Sequence, residues 1–550
     1  MKVDYIQHTQ SMMRIMERTI RENWERPAFS DYGTSVRFTY KEAACEFARL
    51  HEYFHSLDLK RGDRIAICGK NSSQWAVAYL AAFTFGAVTV PILQDFNAEQ
   101  IINIIVHSET KLLMCADDIA AKLGVTISGT TMLQLPPNDE GEERECPMCS
   151  LSTIGHISYD MPFGKVDVRY FADRPDDLAM LSYTSGSTGH SKGVMLPYRA
   201  MWSNVAFANE ALGLKPGKKV VSLLPMAHMY GFAFEFMYAF CVGSHIHYLT
   251  KAPSPSVLLQ VFADVRPHII IAVPLIIEKI VQNKIFPVIR AVQMRSLLML
   301  PIVRTLIYRK IRRQLQKVFG DNFYEIIVGG ASFNSEVETF LKRIKFPYTV
   351  GYGMTECGPI ICYRDWHSFA MTSCGRSAPR MEVRILSDDP ERVPGEIVTR
   401  GMNVMLGYYK NDAATVETID EDGWLHTGDL ATMDSDGNVY IRGRVKNMLL
   451  GSNGQNIYPE EIEEKLTGHA LIDECVVVQR GDKLVGLVYT SDDTLQRHGM
   501  TRDDFAEQLD RYRRHINRML PTFCALSALE SRTEEFEKTP KRNIRRFLYS

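Results

Sequence analysis

The stretch Leu181-Ser-Tyr-Thr-Ser-Gly-Ser-Thr-Gly-His-Ser-Lys-Gly-Val194 decides how this chain is read. It follows a short apolar run and gathers six Ser/Thr residues, three glycines and one lysine. Gly186, Gly189 and Gly193 let the backbone come close to a ligand and turn its N–H groups inward. Thr184, Ser185, Ser187 and Thr188 add neutral donors, and Lys192 adds a positive charge. A loop of this composition can wrap a polyphosphate. It is not the GxxxxGK[ST] loop, because Lys192 is preceded by Ser191 and followed by Gly193. A flexible Gly/Ser linker is the plain alternative, but linkers rarely lie between an apolar strand and a Lys-Gly-Val run.

Upstream, Arg64-Ile-Ala-Ile-Cys68 reads as a strand and Gly69 and Asn71 as a turn. Ser72 or Ser73 can cap the helix that carries Trp75 and Tyr79, and Ala87 to Val90 is the next strand. Strand, helix, strand at this spacing is the βαβ pattern of a parallel sheet. The longest apolar stretch, Ala76 to Leu93, has the length of a membrane span, but Gly86 and Pro91 break it and Val88-Thr-Val90 is β-branched. A buried helix followed by a buried strand is expected. Further buried strands are expected at Val220–Leu224, His268–Val273 and Glu325–Val328. From about residue 380 the texture changes to alternating runs separated by Gly- and Asp-rich turns: Met381–Ile385, Glu396–Thr399 and Asn438–Ile441. After Gly443-Arg444 comes a small α+β section, with strands at Glu474–Val478 and Lys483–Tyr489 and helices at Glu460–Leu466 and Asp503–Met519.

The fold class is therefore α/β: a large N-terminal domain of parallel-rich sheets over 1–443, with a small β-barrel-like unit at about 375–443, followed by a small α+β domain over 444–550.

Composition narrows the function classes. A length of 550 residues is too great for one ordinary core. The 63 Lys+Arg nearly balance the 65 Asp+Glu, so a nucleic-acid partner is not expected. Eleven cysteines scattered from Cys45 to Cys524 suit free thiols in a reducing, cytoplasmic setting. Cys146-Pro-Met-Cys149, a lone CxxC in a polar stretch, is weak evidence for a metal. The opening Met1–Gln10 carries no apolar run, so no secretory leader is expected. From Lys279 to Gly320 there are ten Lys/Arg and no Asp or Glu, with apolar residues between them. A basic amphipathic helix of this kind can lie on an anionic membrane surface. The favoured expectation is plainer: a solvated basic face on a surface excursion whose apolar side packs on the domain.

The glycine- and hydroxyl-rich loop resembles the phosphate loop of the adenylate-forming superfamily, which includes acyl-CoA synthetases, peptide-synthetase adenylation domains and firefly luciferase. Other motifs follow in family order: Pro225-Met-Ala-His-Met-Tyr-Gly231, Val328-Gly-Gly-Ala-Ser332, Gly351-Tyr-Gly-Met-Thr-Glu-Cys-Gly358, Gly423-Trp-Leu-His-Thr-Gly-Asp429, Gly443-Arg-Val-Lys-Asn447 and Gly454-Gln-Asn-Ile-Tyr-Pro-Glu-Glu-Ile462. The run Asn453 to Glu463 and the ending Phe536-Glu-Lys-Thr-Pro540 look most like bacterial long-chain fatty acid–CoA ligases.

This resemblance implies a two-step reaction with ATP, Mg2+ and coenzyme A. A carboxylate displaces pyrophosphate from ATP, and a thiol then takes the acyl group; the thiol belongs to coenzyme A or to the phosphopantetheine of an acyl carrier protein. Thr184 to Gly189 and Lys192 would hold the β- and γ-phosphates, and Glu356 with Thr184 would hold Mg2+. Thr355 would donate to the α-phosphate. Tyr352, Gly353, Gly330 and Ala331 would border adenine, and Asp429 would accept from the ribose hydroxyls. Arg444 would reach ribose or phosphate, with Lys446 at a hinge and Gly454 in the loop that enters for thioester formation. His228 would lie near the fatty acid carboxylate. The run Gly231–Phe240 fits an acyl tunnel wall and a plain buried helix equally well.

One departure matters. The family's adenylation lysine falls, in the register fixed by Thr539 and Ile544-Arg-Arg546, at Asn543. Lys541 stands two residues earlier, on the same side of an extended strand, and can substitute. The alternative is an adenylation-impaired protein that binds nucleotide or acyl-adenylate. Ser191, where many relatives have Pro, is a lesser departure.

Overall fold

The computed structural model describes residues 3–124, 127–135, 163–184, 191–250, 254–331, 333–450, 456–469, 471–481, 483–538 and 544–549. The predicted βαβ unit is present. Strand Arg64–Cys68 leads to helix Ser73–Phe85, capped by Ser72, whose hydroxyl accepts from the Trp75 N–H. Val88–Ile92 follows, parallel to Arg64–Cys68. Gly86 ends the helix in the left-handed region, which explains why the apolar run Ala76 to Leu93 divides there.

These strands belong to a seven-stranded sheet. Its order is Gly407–Tyr408, Lys192–Pro197, Leu178–Thr184, Val88–Ile92, Arg64–Cys68, Thr110–Cys115 and Thr131–Gln134. The centre is parallel, and the last two strands on the Gly407 side are antiparallel. A second sheet runs Arg37–Thr39, Pro27–Asp31, His245–Tyr248 and Lys219–Ser222. The bridge Val220↔Ile269 carries it toward the parallel trio Ile270–Ala272, Ile326–Val328 and Tyr348–Val350. The strands expected near 220, 270 and 326 all form.

Helices Ser73–Phe85, Tyr198–Ala211 and the segment Met229–Cys241 share one core with residues of both sheets, such as Ile65, Met180, Ile246 and Ile327. Trp75 stacks on Tyr79 with centroids 5.4 Å apart, and Phe232 and Phe236 meet Tyr79 edge-on.

The β-rich unit is an antiparallel sheet of Met381–Leu386, Gly395–Gly401, Leu425–Met433 and Val439–Arg444, as the alternating pattern predicts. The smaller C-terminal domain joins antiparallel Glu474–Arg480 and Lys483–Tyr489 to a third strand, Leu526–Arg532, parallel to the second. That third strand was not expected. Its run LSALESR is half polar and buries few side chains. Helices Pro459–Thr467 and Arg502–Asn517 cover one face.

The acid-free excursion is a chain of short helices ending in the long helix Pro301–Val318. Phe286, Leu315 and Phe319 bury themselves in a second core, with Ile289, Tyr308 and Ile311 packed against it. That much matches the expectation that its apolar side packs on the domain.

Glu325, beside strand Ile326–Val328, is fully buried and accepts from the Tyr363 hydroxyl at 2.7 Å. Burial pushes its carboxyl up to about 8. Between the unfolded value near 4.5 and 8, the native state holds a proton that the unfolded state has lost, so stability falls as pH rises through that window. Denaturant titrations of Glu325→Gln at pH 5 and pH 8 should therefore show a shallower loss of stability than wild type.

Candidate functional site

Thr184 and Lys192 face each other across the mouth of the hairpin Leu178–Thr184 / Lys192–Pro197. Ser185, Gly186, Ser187, Thr188 and Gly189 lie outside the described residues. The Lys192 ammonium sits over the Tyr408 ring, 4.7 Å from its centroid. The Tyr408 hydroxyl donates to Glu356 Oε1 at 2.9 Å. Burial and the adjacent Glu356 carboxylate push the Tyr408 phenol up, so it remains a donor at neutral pH. Gly407–Tyr408 is the edge strand beside Lys192–Pro197, and the Met405 N–H donates to the Glu356 carbonyl at 2.9 Å. Sheet pairing thus joins three segments far apart in sequence into a Lys192–Tyr408–Glu356 line. Tyr408 was missed by sequence reasoning: an aromatic after glycine carries no chemical signal until its partners are known. Tyr408→Phe removes one hydrogen bond to a carboxylate, worth about 1.5–3 kcal/mol, and is expected to weaken magnesium-dependent nucleotide affinity by roughly tenfold in calorimetry.

Glu356 and Thr355 are buried in the single turn Thr355–Cys357. Just before it, a Cβ on Gly353 would meet the Pro359 carbonyl oxygen at 2.1 Å, so no larger residue fits. Tyr352 donates its hydroxyl to Asp429 Oδ2 at 2.6 Å, and Arg444 Nε lies 2.8 Å from Asp429 Oδ1. Asp429 and Arg444 are register partners on adjacent strands, which sets this pair by backbone pairing. Asp429 is buried, and desolvation raises its pKa against the pull of Arg444 and Tyr352. Each carboxylate oxygen takes one of these donors and keeps a second lone pair for an incoming hydroxyl.

Lys446 lies exposed in the turn Val445–Asn447, where partial desolvation and the neighbouring Arg444 charge lower its pKa. Asn447 Nδ2 donates to Glu460 Oε1 at 2.6 Å. Gly454 is outside the described residues, as are Lys541 and Asn543. Lys538 is paired with Glu474 and Glu535 inside the small domain.

Gly330, at φ +83°, and Ala331 form an exposed turn after strand Ile326–Val328. The segment Pro225 to Gly231 meets the strand that leads into this turn: the Tyr230 hydroxyl donates to the Ile327 carbonyl at 3.0 Å. His228 caps the short helix Met229–Gly231, its Nδ1 accepting from the Tyr230 N–H at 3.4 Å. The aromatic run is a buried helix: Phe232, Phe234 and Phe236 face the main core. Glu235 was also missed. It is wholly buried and accepts from the Leu223 and Leu224 N–H groups at 3.0 Å, and burial holds its carboxyl well above the usual range. Asn71 adds bonds to Ser222, Leu224 and Met226. Together they fix the backbone that leads into His228. A lone acid in an aromatic run is the signal that would have found Glu235.

The donors suit magnesium as far as they go. The carboxylate of Glu356 and the hydroxyl of Thr184 are hard oxygens, and magnesium on a nucleotide is usually held by one or two protein carboxylates plus phosphate oxygens. Among the described residues, no group of three or more His, Cys, Asp or Glu is placed to form a self-sufficient metal cage.

Two sheets over a shared helical core, a β-hairpin near one sheet edge and a small C-terminal domain that follows an Asp–Arg pair define an adenylate-forming type of fold. Solved structures share it over nearly the whole chain. The anthranilate CoA ligase AuaEII in complex with anthranoyl-AMP superposes with a TM-score of 0.80 at 17% identity, covering 98% of this chain and 96% of that one. ATP-bound MatB from Rhodopseudomonas palustris gives 0.77 at 21% identity, covering 98% of each. The model of the AMP-binding enzyme family matches residues 16–409, and that of the AMP-binding enzyme C-terminal domain matches 446–549. The chain belongs to the AMP-binding enzyme family. Its relatives include the long-chain-fatty-acid–CoA ligase FadD15 of Mycobacterium bovis, 27% identical over 84% of this chain and 78% of the relative. The long-chain-fatty-acid–CoA ligase of Escherichia coli O157:H7 is also 27% identical, over 85% and 83%.

Proposed function

We propose that this protein activates a fatty acid as its adenylate with ATP and transfers the acyl group to the thiol of coenzyme A. The observation that carries the reading is the convergence of Thr184, Lys192, Tyr408 and Glu356 at one sheet edge. Attack of a carboxylate on the α-phosphorus brings two anions together, so the site must supply positive charge and donors where charge develops. Lys192 provides an ammonium beside the loop that would hold the β- and γ-phosphates. Thr355 donates toward the α-phosphate, and Asp429, steadied by Tyr352 and Arg444, accepts from the ribose hydroxyls. His228 takes the fatty acid carboxylate. Magnesium, held through Glu356 and Thr184, neutralises charge on the phosphate oxygens when bound.

The chain divides at 443/444 on this reading, and the small domain turns about Lys446 so that coenzyme A can reach the acyl-adenylate. None of the nine described cysteines is joined in a disulfide, in keeping with work in a reducing, cytoplasmic compartment. A second reading, nucleotide binding with impaired adenylation, draws on Asn543 and on the engagement of Lys538 with Glu474 and Glu535.

Calorimetry with ATP should show affinity that depends on magnesium; its absence overturns both readings. Pyrophosphate release with a panel of fatty acids, followed by product mass with coenzyme A or a phosphopantetheinylated carrier, separates the readings and the acceptors. Silence with every acid, despite nucleotide binding, selects the impaired protein.

A further inference from the structure

The excursion between the first core and strand Ile326–Val328 is only half accounted for by packing. Its buried side ends in Phe286, Leu315 and Phe319. On its outer side large apolar groups stand in water: Val292 is 81% exposed, Met299 80% and Ile302 79%, with Val288, Leu300 and Leu306 more than half exposed. Isolated exposed apolar residues are ordinary, but contiguous ones mark a contact surface.

The helix Pro301–Val318 shows how the surface is organised. At 100° per residue, Ile302, Leu306, Arg309, Lys310, Arg313 and Lys317 fall on one stripe about 100° wide. Leu315 and Ile311 fall on the opposite side, where the domain is. The stripe is apolar at the helix's first two turns and cationic along the rest, and Arg309, Lys310, Arg313 and Lys317 are exposed. No Asp or Glu occurs anywhere from Lys279 to Gly320 to offset them. The nearby acid Glu336 is already paired with Arg290, and Glu278 accepts from the Asn334 N–H. No helix among the described residues is long and apolar enough to cross a membrane.

We infer that this face docks the protein on an anionic lipid bilayer, with the exposed apolar side chains Val288, Val292, Met299, Leu300, Ile302 and Leu306 entering the headgroup–acyl boundary and the Arg309–Lys317 stripe lying against the anionic headgroups. Charge complementarity selects the occupant. An apolar wedge followed by acid-free cationic turns matches the two layers a bilayer presents in order: acyl chains beneath negatively charged headgroups. A second copy of this chain offers no such match, because the same positive face would meet itself. The inference does not depend on the acyl-activation reading, since binding is read without substrate.

The test is flotation of the full-length protein with phosphatidylcholine vesicles, with and without about one-third phosphatidylglycerol. Wild type should float with the anionic vesicles, roughly tenfold more tightly than with the neutral ones, and should release at high salt. Ile302→Asp with Leu306→Asp, and separately Lys310→Glu with Arg313→Glu, should each lower that binding roughly tenfold or more. Both double variants should keep the wild-type melting temperature and ATP affinity, since none of these residues lies in the nucleotide site. Failure of wild type to float overturns the inference. So does equal, salt-insensitive binding to both vesicles. Analytical ultracentrifugation provides a further outcome: a wild-type dimer dissolved by the Ile302→Asp pair, without vesicle binding, would assign the face to a second copy instead.

Discussion

Replacing Glu356 with Gln is expected to slow pyrophosphate release roughly 10²–10³-fold with little change in melting temperature. The amide keeps the volume and can still accept from the Tyr408 hydroxyl, so the turn Thr355–Cys357 and its neighbours should hold. What is lost is the formal charge. A neutral amide would be a poor ligand for magnesium, and the Lys192 ammonium above the Tyr408 ring, itself a cation, could not take the carboxylate's place. The loss should shrink when the magnesium concentration is raised well above the wild-type optimum, which a merely structural defect would not do. A Gln variant with wild-type turnover at limiting magnesium would remove Glu356 from the proposed metal site.

Lys541→Ala is expected to lower adenylation by a similar factor, roughly 10²–10³, and Asn543→Lys in the same chain to restore it. Adenylation asks a cation to offset charge shared by the attacking carboxylate and the α-phosphate, and Asn543 has none to give. In extended backbone, positions 541 and 543 share a side, so the shift of one ammonium by two residues is bridgeable. Lys538 is a poor substitute because Glu474 and Glu535 already neutralise it. On the proposed reading a different face of the small domain serves thioester formation, so that step from preformed acyl-adenylate should be unchanged in both variants. If Lys541→Ala adenylates as fast as wild type, the substitution idea fails. If wild type is silent and Asn543→Lys alone is active, the impaired reading replaces it.

The local instructions for most elements were legible in the sequence. Ser72 ahead of an apolar run, Gly86 behind it and β-branched Val88-Thr-Val90 beyond specify a capped helix and a strand through short-range hydrogen bonding and sterics, which act between near neighbours. Lys483–Tyr489 was placed by its pattern to the residue. The strand Leu526–Arg532 was not, because it buries too few side chains to leave a period-two pattern. The candidate site divides the same way. Thr184, Lys192, Glu356 and Asp429 were found as motif members, each by its own chemistry. That Tyr408 would stand between Lys192 and Glu356, or that Arg444 would take one oxygen of Asp429, follows from pairings between strands distant in sequence. Glu235 had no visible partner until the Ser222–Leu224 backbone met it. The basic excursion marks the same boundary: composition alone showed its charge, while only packing decided which apolar side chains were buried and which were left facing water. Sequence determined what each segment could do on its own, through local bonding and side-chain chemistry. Tertiary structure decided which of those capacities meet, because burial and long-range pairing depend on surfaces that no segment carries alone.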